Sequence, residues 1–172
     1  DSLTPVQTPF QIVTAMQYSP DGKTLALAGI THEGQGRIQF RKPTGEIKRD
    51  HPVPATALCA AYSPDGSTLA VGLANGSTLL LPTQGDGGSR EFQHDDDRIS
   101  GLAWSPDGNQ LVVTGLKSEA HIIDLENPSD PSHLFVDADI VSLHDGQRLL
   151  TGQKVQNLTT RLPHQDEQIA RA

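Results

Sequence analysis

The run His94-Asp95-Asp96-Asp97-Arg98 sets three carboxylates beside an imidazole, and hard divalent cations are held by several oxygens at once. The run lacks the spacing of a calcium loop and the glycine that bends such a loop. It reads as a solvated acidic connection that meets a basic partner rather than a metal. Histidines at positions 32, 51, 94, 121, 133, 144 and 164 are the other candidate acid–base or ligand groups. They show no paired spacing on a common element, so any site built from them is assembled by folding. Neither a metal ligand nor a catalytic residue is assigned, and no cofactor is implied. Cys59 lies in the apolar run TALCAAY with no identifiable histidine partner, and reads as a buried small hydrophobe. Gly-Asp-Gly-Gly at 85–88 precedes no helix start and is a turn; no nucleophile motif, phosphate loop or dinucleotide fingerprint is present. Asn75-Gly76-Ser77 and Asn157-Leu158-Thr159 match glycosylation sequons, but Asn-Gly is independently a hairpin turn.

Whatever positions these groups must be built from small aliphatic residues. The 172-residue chain is 35% hydrophobic and only 4% aromatic, with 16 glycines and 12 prolines. That composition favours many turns and short strands over helices. The formal net charge of −8 argues against nucleic acid, whose phosphates call for a basic footprint. A single cysteine excludes an internal disulfide framework, and no apolar run is long enough to span a membrane. The sequence opens on Asp1 without methionine, which predicts that something upstream has been removed; a cytoplasmic location is expected. Arg41, Lys42, Lys48 and Arg49 cluster in FRKPTGEIKRD and read as a charged outer hairpin protecting an edge strand.

The positioning elements announce themselves by repetition. YSPDG stands at 18–22 and 62–66, and WSPDG at 104–108, so the serines at 19, 63 and 105 are 44 and 42 residues apart. Proline presets φ, Asp suits the second central position, and Gly takes the left-handed conformation, so each copy is a tight turn. Ahead of the serines stand Val13, Met16 and Tyr18, then Ala57, Ala60 and Tyr62, then Ile99, Leu102 and Trp104. After the turns come KTLALAG, STLAVGL and NQLVVTG, then RIQF, STLLL and AHIIDL, with weaker segments such as EIKRD and REFQH closing the unit. Four short strands per unit are predicted. A degenerate fourth copy begins near Asp139, keeps Asp-Gly in LHDGQRLLTG, and places its third and fourth strands at NLTTRL and EQIARA.

This register resembles the WD40-type β-propeller repeat, in which about 40–45 residues make one four-stranded blade. The resemblance implies an all-β propeller of about four blades, at 10–54, 55–98, 99–138 and 139–172, with 1–9 as the outer strand of a preceding blade. The family's Trp-Asp pair is replaced by Phe40-Arg41, Leu81-Pro82 and Ile123-Asp124, and its Gly-His survives in part as His51 and His94. Four blades is the lower end of the usual range, so a partial propeller completed by other blades, from the same parent chain or another, is expected. The resemblance further implies a non-catalytic, rigid platform for protein partners. Its recognition loops carry His32, Glu33, Asn75, Glu119, His94, Asp95, Asp96 and Asp97, an acidic set suited to a basic protein surface or peptide. The alternative is a propeller enzyme or small-ligand sensor with histidines and carboxylates converging at the central channel. No membrane or nucleic-acid partner is expected.

Overall fold

Three Ser-Pro-Asp-Gly phrases make three hairpins with one hydrogen-bond plan. In this computed structural model the described residues are 8–85, 87–94, 98–115 and 119–126, with the strand backbones at 132–135, 141–144, 148–151 and 154–157. The serine hydroxyl of each phrase donates to the Asp two residues on: Ser19 to Asp21 at 2.6 Å, Ser63 to Asp65 at 2.6 Å and Ser105 to Asp107 at 2.5 Å. The same Oγ accepts the backbone N–H five residues on, at Thr24, Thr68 and Gln110. The Asp carboxylate also accepts the N–H of Lys23, Ser67 or Asn109. Gly22, Gly66 and Gly108 have φ of 70°, 72° and 76°, which L side chains adopt only with strain. All three serines are buried, so each is the hub of its turn as well as part of its outline.

These turns organise antiparallel meanders. The first sheet runs β1 (Phe10–Tyr18), β2 (Leu25–Thr31), β3 (Gly36–Arg41) and β4 (Ile47–Val53). The second runs β5 (Ala57–Tyr62), β6 (Thr68–Leu73), β7 (Ser77–Pro82) and β8 (Arg90–Gln93). The third comprises β9 (Gly101–Trp104), β10 (Gln110–Thr114), β11 (Glu119–Asp124) and β12 (Ser132–Phe135). The fourth has three described strands, β13 (Val141–His144), β14 (Arg148–Thr151) and β15 (Lys154–Asn157). Its third strand therefore begins three residues before the expected NLTTRL, with Lys154 paired to Thr151. The expected outer strand at 1–9 and fourth strand at EQIARA lie outside the described residues, apart from Thr8 and Pro9, which are not in a strand.

The sheets stack blade on blade through β1, β5, β9 and β13. Alternation along a strand sends successive side chains to opposite faces, and the second blade uses both faces. Leu69, Val71, Leu73, Leu79 and Leu81 pack with Ala26, Ala28, Ile38 and Phe40 of the first blade. Ala61, Ala70 and Leu80 pack with Ile99, Trp104, Leu111, Val113 and Ile123 of the third. At each seam the later blade supplies bulky side chains, and β2 or β6 of the earlier one offers alanine or glycine. A Cβ on Gly72 would lie 2.4 Å from Ile99 Cγ2, so no side chain fits there without the seam opening. Hydrogen bonds to backbone groups stitch the seams as well. Trp104 Nε1 donates to Ala61 O at 2.9 Å, Arg49 to Pro82 O at 2.7 Å, and Tyr62 N–H to the Gln17 side chain at 3.0 Å.

The register corrects one sequence alignment. Leu25 pairs with Arg41 as Leu69 pairs with Leu81 and Leu111 with Ile123. Arg41, rather than Phe40, therefore occupies the position of Leu81 and Ile123 and faces away from the second blade.

Hydrogen bonds from the serine hydroxyl, then from the following backbone N–H, hold the Asp21, Asp65 and Asp107 carboxyls below the ordinary Asp value. A carboxyl lowered on folding stabilises the fold above its unfolded-state pKa, and the contribution is lost as pH falls through the lowered value. Asp65→Asn is therefore expected to lower the urea midpoint at neutral pH and to flatten its fall below about pH 4. A wild-type acid limb retained in the variant would refute this role for the turn.

Candidate functional site

Meander topology sends the β2–β3 and β6–β7 turns and the connections between blades to one end of the stack, opposite the Ser-Pro-Asp-Gly turns. Several expected recognition residues meet there. His32 and Glu33 are exposed in the β2–β3 turn, and Asn75 is exposed in the β6–β7 turn. Asn75 Oδ1 accepts from the N–H and hydroxyl of Ser77, and Gly76 follows at φ 81°. The β8–β9 connection is tied to that turn, since Gln93 Nε2 donates to Asn75 O at 3.2 Å and His94 N–H to Gly76 O at 3.0 Å. Asp95, Asp96 and Asp97 continue from this anchored point and lie outside the described residues. Glu119 opens β11 at the same end; its side chain is likewise outside the described set.

Between the first two blades this end holds an open groove of about 540 Å³. It is lined by Gly34 and Gly36, by residues 52–56 at and after the end of β4, and by Ala74 and Asn75. Gly36 is needed for the approach, because a Cβ there would lie 1.9 Å from Ala55 O. The lining is uncharged and includes Pro52, Val53 and Pro54 beside the polar Gln35, Thr56 and Asn75. Such a surface offers shape and backbone hydrogen-bonding groups but, in this lining, no acid–base pair.

The remaining candidates fall elsewhere. His51 is half-buried opposite Ile38; burial, then the Arg49 charge, lowers its pKa below the usual histidine value. Within the basic hairpin Arg41 is buried, donating to Gln39 Oε1 and Gly45 O. Lys42 pairs with Glu46 at 2.8 Å, and Lys48 donates to the Thr24 hydroxyl at 2.9 Å. The hairpin is thus bound into its own blade and seam. Among the described residues no three histidine, cysteine or acidic side chains form a metal-binding group.

The family comparison fits this architecture strand for strand. The WD domain, G-beta repeat family matches residues 89–124, which begin just before β8, the outer strand of the second sheet, and end with β11. The matched repeat therefore staggers across two blades. Over 85 residues, 46% of this chain, the sequence is 35% identical to an uncharacterized WD repeat-containing protein of Schizosaccharomyces pombe. Residues 89–124 thus match a WD40 repeat. The match spans 13% of the fission-yeast protein's length. In fold, the blade stack superposes on the hydrazine synthase of Kuenenia stuttgartiensis with a TM-score of 0.73. That superposition covers 85% of this chain and 58% of the other at 17% identity, a likeness of architecture alone.

Sequence reasoning counted His121 among the candidate histidines but did not pair it with His94. His121 sits in β11, where its ring lies 5.0 Å from that of His94, although 27 residues separate the two along the chain. Only the stacking of blades brings them together.

Cys59 packs against Ile99 and Gly72 in the second seam, and burial pushes its thiol up to about 11. At pH 8 roughly one molecule in a thousand then carries the reactive thiolate. Ellman's reagent is expected to label Cys59 slowly in buffer and rapidly in denaturant. Rapid labelling of the folded chain would contradict that burial.

Proposed function

We propose that this chain is a non-catalytic WD40-like platform that holds a protein partner at the end bearing the groove. The carrying observation is the convergence there of the β2–β3 turn, the β6–β7 turn and the anchored β8–β9 connection. WD40 repeats generally mediate protein–protein contact, and loops on a stiff frame carry recognition. The partner surface is basic, because Glu33 is exposed at this end, the sequence runs on from the anchored His94 into three aspartates, and opposite charges steer association. A lysine- and arginine-rich peptide is expected to bind with an affinity that falls steeply with salt. Replacing Asp95, Asp96 and Asp97 by Asn is expected to weaken it by about tenfold or more at low salt. Equal binding by the variant would refute the acidic end as the recognition surface.

A second reading is favoured by the first blade: this stretch belongs to a larger ring. Tyr18 is 57% exposed, whereas Tyr62 and Trp104, at the same place in their repeats, are each 9% exposed. Those two are covered because a blade precedes them. Val13 and Met16 are exposed beside Tyr18. The polar groups of this face are largely paired within the blade, Gln39 with Asp50 and Arg41 with Gln39, so covering it strands few of them. Light scattering at tens of micromolar is expected to give a mass above one chain, reduced in Met16→Glu with the strand circular-dichroism signal unchanged. A folded single-chain mass at every concentration would refute the need for a covering blade on this face.

A further inference from the structure

The groove between the first two blades carries hydrogen-bonding groups that the fold leaves unused. Asn75 Oδ1 accepts twice from Ser77, from its N–H at 3.2 Å and its hydroxyl at 2.9 Å. A backbone N–H only donates, so the oxygen must face it. The amide is thereby fixed with Nδ2 as a donor that meets no acceptor among the described residues. Thr56 O accepts from Ala74 N–H at 2.9 Å, which sets Thr56 beside the Asn75 turn. The Thr56 hydroxyl and the Gln35 side-chain amide also lack a hydrogen-bond partner among the described residues, and both residues line the groove.

The rest of the lining limits what can use these groups. Gly34, Gly36, Ala55 and Ala74 carry nothing beyond a Cβ, so a guest backbone can come close. No charged residue lines the groove, so a charged guest group seated there would lose water and gain no counter-charge. The volume of about 540 Å³ lies within the range of about 300–1,000 Å³ common to ligand sites. An extended peptide offers carbonyls and N–H groups along its edges, the acceptors and donors that Asn75 Nδ2 and the Thr56 hydroxyl call for.

We propose that the groove seats an extended, uncharged stretch of a partner's main chain, with a carbonyl on Asn75 Nδ2 and an N–H on the Thr56 hydroxyl. This inference rests on the reading of this end as the partner-binding end. It names what enters the groove, and any basic side chains of the partner lie outside it.

The probe is a displayed library of random nonapeptides built from Gly, Ala, Pro, Val, Leu and Phe, whose hydrogen-bonding groups belong to the main chain alone. Enriched peptides are synthesised with capped ends, and binding is measured by fluorescence anisotropy. Saturable binding that is insensitive to salt is expected. Asn75→Asp keeps an oxygen for Ser77 but turns the amide donor into a second acceptor, and is expected to weaken binding by about tenfold or more. Thr56→Val is expected to weaken it several-fold, and Glu33→Gln, outside the lining, to leave it unchanged. Charge steering alone predicts the opposite sign for Asn75→Asp, namely equal or tighter binding of the lysine- and arginine-rich peptide. Circular dichroism checks the fold of each variant, and Thr56→Val carries the test if Asn75→Asp does not fold. No neutral peptide enriched, or equal binding by the folded variants, overturns the groove as a main-chain site. Binding of the basic peptide in that case leaves the acidic end standing, so the two readings fail separately.

Discussion

The fit of bulky side chains from one blade into the alanine and glycine hollows of the blade before it is the contact on which the rest depends. Leu69, Val71, Leu79 and Leu81 fill the first seam and Trp104, Leu111, Val113 and Ile123 the second. Burying a Leu, Val or Ile contributes about 1.5–3 kcal/mol. Exposed ion pairs such as Lys42–Glu46 contribute about 0–1 kcal/mol. The seams, and not surface charge, hold the blades in place. Leu81 and Ile123, at the positions set against the Trp-Asp pair of the WD40 repeat, supply apolar volume to these seams.

Strand order was legible because turn chemistry is local. Each Ser-Pro-Asp-Gly phrase brings its own hydroxyl, carboxylate and positive-φ glycine within six residues, so its hairpin can be read without knowing the fold. The fourth copy has lost its Ser-Pro, and there the reading misplaced the third strand. The same reading took Arg41 for a surface charge. Its burial follows from a one-residue register difference in β3, set by pairing with Leu25 and invisible to an alignment of apolar letters.

The candidate sites were legible in proportion to how local they are. His32, Glu33 and Asn75 declare themselves as turn residues, and meander topology then gathers them at one end. The groove beside them depends on the close passage of Gly36 against Ala55, and the His94–His121 contact crosses from one blade to the next. Neither has a signature within a single repeat. Comparing equivalent positions does leave a trace, because His121 interrupts a column otherwise filled by an aliphatic residue and Gln39.

A seam between unlike faces has a direction. Copies meeting through the same face would set bulk against bulk, so arcs of such blades join head to tail, the arrangement that closes into a ring or propagates as a filament. An arc with an uncovered leading face is therefore a one-way connector. The wedge angle between successive blades, more than the strength of any single seam, decides whether it ends in a closed circle or an open fibre.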